Sequence, residues 1–203
     1  GISNFTGIEA FSSLEILDIS HNVNSVSNLD LSSLSSLKVL NSINNNVSTF
    51  IVSSSVEEMD LSDNNISDVD LTSLFNLQKF TANNSNIATI NLTSSIEELY
   101  LSNNELTTID VSTLPNLNIL NINDNNISSG LVLNGNIEKL FISGNNLIDL
   151  DLPLIALSTT LFVIFAFDGT INFIEATFLI IGYAIYLVSA IIHKDGSDMV
   201  EPI

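Results

Sequence analysis

The sequence predicts an α/β solenoid with a parallel concave sheet, followed by a C-terminal transmembrane helical hairpin. Three observations carry that expectation. One apolar pattern recurs seven times between residues 14 and 145. The chain changes at Leu152 into long uncharged runs. Acids also concentrate in the first part, where residues 1–151 hold 18 Asp and Glu, while residues 152–203 hold five.

Residues 1–13 read as a partial repeat or N-terminal cap, because Ile2, Phe5, Ile8 and Phe11 supply apolar side chains with no complete unit around them. Solenoids need such caps, since a terminal unit otherwise leaves one side of its core open. Residues 14–152 form the repeat domain. The pattern L-x-x-L-x-L-x-x-N appears as LEILDISHN from Leu14, LKVLNSINN from Leu37, VEEMDLSDN from Val56 and LQKFTANNS from Leu77. It continues as IEELYLSNN from Ile96, LNILNINDN from Leu117 and IEKLFISGN from Ile137. Successive starts are 23, 19, 21, 19, 21 and 20 residues apart, a period of about 19–23 that marks a stacked-repeat architecture.

Each unit predicts a short strand around its central L-x-L, with pairs such as Leu17 and Ile19, or Leu99 and Leu101, turned inward at period two. One unit cannot bury that face alone. Stacked neighbours make a continuous core. The asparagines at Asn22, Asn45, Asn64, Asn104, Asn125 and Asn145 then stand where the chain leaves each strand, and the expected role is a structural ladder satisfying turn backbone groups. Ser85 replaces asparagine in the fourth unit. Longer units end in DLSSLSS at Asp30, DLTSLFN at Asp70 and DVSTLPN at Asp110, whereas the alternate units end in TSS or SSS, so the underlying period is a pair.

Residues 153–192 predict the hairpin. Leu152 to Phe167 is a 16-residue uncharged run, and Phe173 to Ile192 is 20 residues interrupted only by Glu175. A bilayer core requires about 20 residues of helix. Gly169 is a helix stop, and Asn172 with Glu175 forms a capping box that starts the next helix. A soluble cap on the solenoid end is the other reading, but two helices apolar all round expose more than a small edge hides. Residues 193–203 form a short acidic tail. The expected location is a membrane, with the repeats at an extracellular or cell-surface position as one arrangement; the orientation is left open, because Lys194 alone is too little for a charge rule.

Composition narrows the chemistry. Four lysines against 23 acids give a net charge of −19, which opposes a phosphate backbone, so no nucleic-acid partner is expected. Without cysteine there is no thiolate nucleophile or thiolate metal site, and His21 and His193 stand without a nucleophile at meaningful spacing. No enzyme activity and no cofactor are expected. The sequons at Asn4, Asn46, Asn65, Asn83, Asn91 and Asn126 are explained by the abundance of Asn, Ser and Thr.

The seven units resemble the leucine-rich repeat family over roughly residues 8 to 152. Segments such as Ile109-Asp110-Val111-Ser112 look most like bacterial secreted and internalin-like arrays. The resemblance implies partners held on the concave face. There the central outward column would be Asp18, Asn41, Asp60, Thr81, Tyr100, Asn121 and Phe141. The preceding column would be Ile16, Val39, Glu58, Lys79, Glu98, Ile119 and Lys139. Tyr100, Ile119, Asn121, Lys139 and Phe141 are the candidate site for a protein or peptide ligand, having the aromatic-plus-polar composition of an interaction hot spot. Asp18, Glu58, Asp60 and Asp63 are a weak candidate for calcium, with no EF-hand-like spacing behind it.

A second resemblance covers Asp151 to Val188, which is similar to a hairpin of the sodium/calcium exchanger superfamily, especially bacterial calcium/sodium antiporters. It rests on the Asp151-x-Pro153 opening, the turn Asp168 to Ile171, Glu175, and the pair Tyr183 and Tyr186. The ion-coordinating G-S/T-S/T-x-P-E type motif is missing, so no transport residue carries over. A lone hairpin cannot build a site that lies between two repeated halves. The alternative to a membrane-anchored binding module is therefore a fragment or fusion of an antiporter-type protein that is not transport-competent alone.

Overall fold

The computed structural model describes residues 5–22 and 27–146. The expected hairpin at 153–192, the tail at 193–203 and the exchanger-like segment all lie outside those residues. So does Ile2.

Seven strands form one parallel sheet: β1 (Ile16–Asp18), β3 (Val39–Asn41), β5 (Glu58–Asp60), β7 (Lys79–Thr81), β9 (Glu98–Tyr100), β11 (Ile119–Asn121) and β13 (Lys139–Phe141). They lie in repeat order, one per unit, with Leu17, Leu40, Met59, Phe80, Leu99, Leu120 and Leu140 in register across the sheet. The period-two pattern predicts this placement. Where both neighbours are present the central residue is sealed: Leu40, Phe80, Leu99 and Leu120 are 0% exposed. Leu140 has a neighbouring strand on one side only among the described residues and is 38% exposed.

The return side of the solenoid differs from the expectation. Among the described residues it carries short strands and turns, and the only helix is a single 3-10 turn at Ile8–Ala10. The α part of the expected α/β solenoid is thus corrected for residues 5–146. The physical reason is length: a unit of about 20 residues spends its chain on two strand crossings and two turns, leaving no room for a helix of several turns.

Among the described residues six return strands pair only in twos. They are β2 (Asn28–Leu31) with β4 (Thr49–Val52), β6 (Asp68–Asp70) with β8 (Thr89–Asn91), and β10 (Ile109–Asp110) with β12 (Leu131–Val132). The paired period read from the sequence is therefore a paired structure. The first, third and fifth units leave their return strands through an aspartate that closes an Asx turn. Asp30 accepts from the N–H and hydroxyl of Ser32 at 3.0 and 2.7 Å, Asp70 from those of Thr72 at 3.0 and 2.7 Å, and Asp110 from those of Ser112 at 2.9 and 2.6 Å.

At the N-terminal end, Phe5 and Ile8 pack against the core and Leu17 is 9% exposed. Phe11 takes no part. It is 59% exposed, because the chain turns from Ile8 through Phe11 into Leu14 and carries that ring outward.

Candidate functional site

Two ladders run beside the seven-stranded sheet, and the inner one is made by the asparagines that follow its strands. Asn45 accepts the N–H of Asn22 at 2.6 Å and donates to Ile19 at 2.8 Å. Asn64 accepts from Asn45 and Val47 at 3.2 and 2.9 Å and donates to Ser42 and Leu61 at 2.7 and 2.9 Å. Asn104 accepts from Ser85 and Ile87 and donates to Ala82 and Leu101. Asn125 and Asn145 repeat the arrangement with Leu106 and Ile127 as donors. A carboxamide suits this place because it offers two donors and an acceptor with two lone pairs, while the turn leaves both kinds of backbone group unpaired.

Ser85, the departure from the pattern, still belongs to the ladder. Its hydroxyl has the carbonyls of Leu61 and Asn83 within reach of its one proton, at 3.0 and 3.1 Å, and receives the Asn64 N–H at 3.5 Å.

The outer ladder was not visible as a motif. One residue before each ladder position has a left-handed backbone: His21, Asn44, Asp63, Asn84, Asn103, Asp124 and Gly144, with φ between 54° and 69°. Short polar residues and glycine tolerate that region best. Several of their side chains also bond sideways, as Asn84 does to Asp63 at 2.9 Å. The signal in the sequence was the run of Asn, Asp, His and Gly immediately before the ladder.

On this scaffold the concave residues fall where the spacing puts them. Glu98, Ile119 and Lys139 form one row across β9, β11 and β13, and Tyr100, Asn121 and Phe141 form the next. Phe141 is 44% exposed and Ile119 is half-buried. Asn121 is partly committed inside the protein, since its side-chain oxygen accepts from the Ser102 hydroxyl at 2.7 Å.

Tyr100 is fixed by neighbours that the sequence reading left out of the site. Its hydroxyl donates to Glu98 at 3.0 Å, Lys79 reaches the same carboxylate at 3.4 Å, and the Lys79 ammonium sits 5.7 Å from the ring centroid. Burial, then the hydrogen bond to Glu98 and the charge of that carboxylate, push the Tyr100 phenol above its ordinary value, with Lys79 acting against them. The phenol is therefore a neutral donor near neutrality, and the ring is held under a cation.

The acidic residues considered for calcium are not gathered. Asn41 separates Asp18 from Asp60, which places the two aspartates two strand spacings apart, roughly 9–10 Å. Asp18 and Asp60 each accept the N–H two residues on at 2.9 Å, and Asp63 accepts from Asn84. Glu58 belongs to the other row. Among the described residues no group of three or more His, Cys, Asp or Glu side chains is placed to hold a metal ion.

Comparison with known proteins gives a family match within the repeats. The Leucine Rich Repeat family model matches residues 55–77 and 95–117, the third and fifth units. The fold is a parallel-sheet solenoid. A solved structure of an LRR protein from Leptospira interrogans is similar at 16% identity and a TM-score of 0.37, covering 71% of this chain and 58% of that one. This chain thus spans less than two thirds of that relative. No curated protein matches it. Among the described residues no helix is long and apolar enough to cross a membrane.

Proposed function

We propose that the chain is a non-enzymatic leucine-rich repeat module that binds a protein or peptide on its concave face and is attached to a membrane by residues 153–192. The observation that carries the binding part is the placement of Tyr100, Ile119 and Phe141 on three adjacent strands, in two neighbouring outward rows, with Lys139 in the row of Ile119. An aromatic-rich, partly apolar group on a rigid sheet loses little entropy on docking, which favours recognition. Solenoids commonly present such concave surfaces to macromolecules.

The test is affinity capture from cell-surface extracts by the full chain, compared with a variant carrying Tyr100→Ser, Ile119→Ser and Phe141→Ser. Loss of the captured protein is expected, while unchanged capture would place the binding face elsewhere. The membrane part is supported by the two apolar runs in the sequence, 16 and 20 residues long. An alkaline wash of membranes tests it: the full chain is expected to stay in the pellet and a chain ending at Asp151 to be released. Release of both would remove the anchor from the proposal.

A further inference from the structure

The last described strand of the seven-stranded sheet differs from the other six. All three residues of β13 are exposed, whereas β1, β3, β5, β7, β9 and β11 each bury the central one. Its N-terminal residue, Lys139, donates its N–H to Asn118 at 3.0 Å, and its last residue, Phe141, accepts from Ile122 at 2.8 Å. The alternation of a parallel ladder then turns the N–H and C=O of Leu140 to the side away from β11, where no described strand lies. An edge with an apolar centre is a template for another strand.

The molecule contains its own example of what fits there. On β7, Lys79-Phe80-Thr81 faces Glu98-Leu99-Tyr100 of β9 in register. Lys79 pairs with Glu98 at 3.4 Å, Phe80 and Leu99 are both 0% exposed, and the Tyr100 ring lies beneath the ammonium. β13 repeats the order of β7, with Lys139, then a core residue at Leu140, then Phe141. Among the described residues Lys38 and Lys79 have carboxylate partners, and Lys139 has none.

We propose that β13 takes an extended peptide of a partner protein as a parallel eighth strand, with an acidic residue opposite Lys139, a leucine-like residue opposite Leu140 and an aromatic residue opposite Phe141. Its chemistry is that of Glu98-Leu99-Tyr100. Main-chain bonds to Leu140 supply affinity, and the side chains on alternate faces supply selectivity. The apolar residue completes a core position that is 38% open. This inference shares Lys139 and Phe141 with the concave-face reading but lays the peptide along the sheet edge, so Tyr100, which lies two strands away, separates the two.

The experiment uses the full chain and fluorescein-labelled synthetic peptides with Glu-Leu-Tyr or Lys-Leu-Tyr set between threonines, titrated by anisotropy. Saturable binding of the Glu-Leu-Tyr peptide is expected, together with slower exchange of the Leu140 amide when it binds. Lys139→Glu is expected to weaken that peptide roughly three- to tenfold and to strengthen the Lys-Leu-Tyr peptide by a similar factor, the scale of reversing one cross-strand charge pair. Tyr100→Ser leaves the binding intact. Absence of saturation, affinity indifferent to Lys139→Glu, or loss of binding in Tyr100→Ser would each overturn the proposal. So would a Leu140 amide already slow in the free chain, because the edge would then be occupied.

Discussion

The side-chain oxygen of Asn104 accepts the backbone N–H of Ser85 at 3.1 Å, so the one unit without a ladder asparagine is held from the unit after it. The same oxygen takes the N–H of Ile87 at 2.9 Å. Continuity of the ladder therefore depends on each asparagine serving its predecessor, and Ser85 interrupts only what it offers backward to Asn64.

Asn104→Ala is expected to cost about 2–6 kcal/mol, because it leaves two buried N–H groups without an acceptor and each such loss costs about 1–3 kcal/mol. Urea unfolding of the full chain measures it. Ser85→Ala should cost less, since its link to Asn64 is 3.5 Å long. Equal losses at the two positions would contradict the direction of support described here.

Gly144 takes the seventh place in the left-handed column with φ 69°, and a Cβ there would meet the Asp124 carboxylate. Gly144→Ala should destabilise by about 1–2 kcal/mol, combining the left-handed penalty with that contact. Asp124→Gly, at a column position where φ is already 54°, should change stability little. Thermal melting of the two variants side by side decides the point.

Leu99 and Leu140 occupy equivalent core positions at 0% and 38% exposure. Leu99→Ala should cost about 2–5 kcal/mol, the range for an enclosed leucine. Leu140→Ala should cost well under half as much, because less area leaves water when the chain folds. Comparable losses would mean that Leu140 is covered in solution.

Asp30 and Asp70 have carboxyls held below the ordinary range, first by the N–H of Ser32 and Thr72 and then by their hydroxyls, while for Asp110 the Ser112 hydroxyl comes first. A depressed folded value means these groups add stability above the unfolded carboxylate value of about 3.9 and lose it as pH falls through the lower folded value. The urea midpoint should therefore drop as pH falls below about 4. A variant with Asp30→Asn, Asp70→Asn and Asp110→Asn should show a shallower acid limb, and an unchanged limb would assign acid sensitivity to other groups.

What the sequence determined by itself was the repeat. Seven L-x-x-L-x-L-x-x-N units at a spacing of about 20 residues leave one way to bury their apolar faces, and period two then assigns every concave residue to its row, from Ile16 and Asp18 to Lys139 and Phe141. The asparagine ladder was legible for the same reason, since a polar residue recurring at a buried turn must be paired. The tertiary structure decided what depends on neighbours. It placed Ser85 inside the ladder, set Lys79 and Glu98 around Tyr100, and kept Asp18 and Asp60 apart with Asn41 between them. Among the described residues it also joined the return strands in twos and left Leu140 at the edge of the sheet. Periodicity specifies which way a side chain points within its own unit. Its partners come from adjacent units some 20 residues away, and those contacts exist only once the units are stacked.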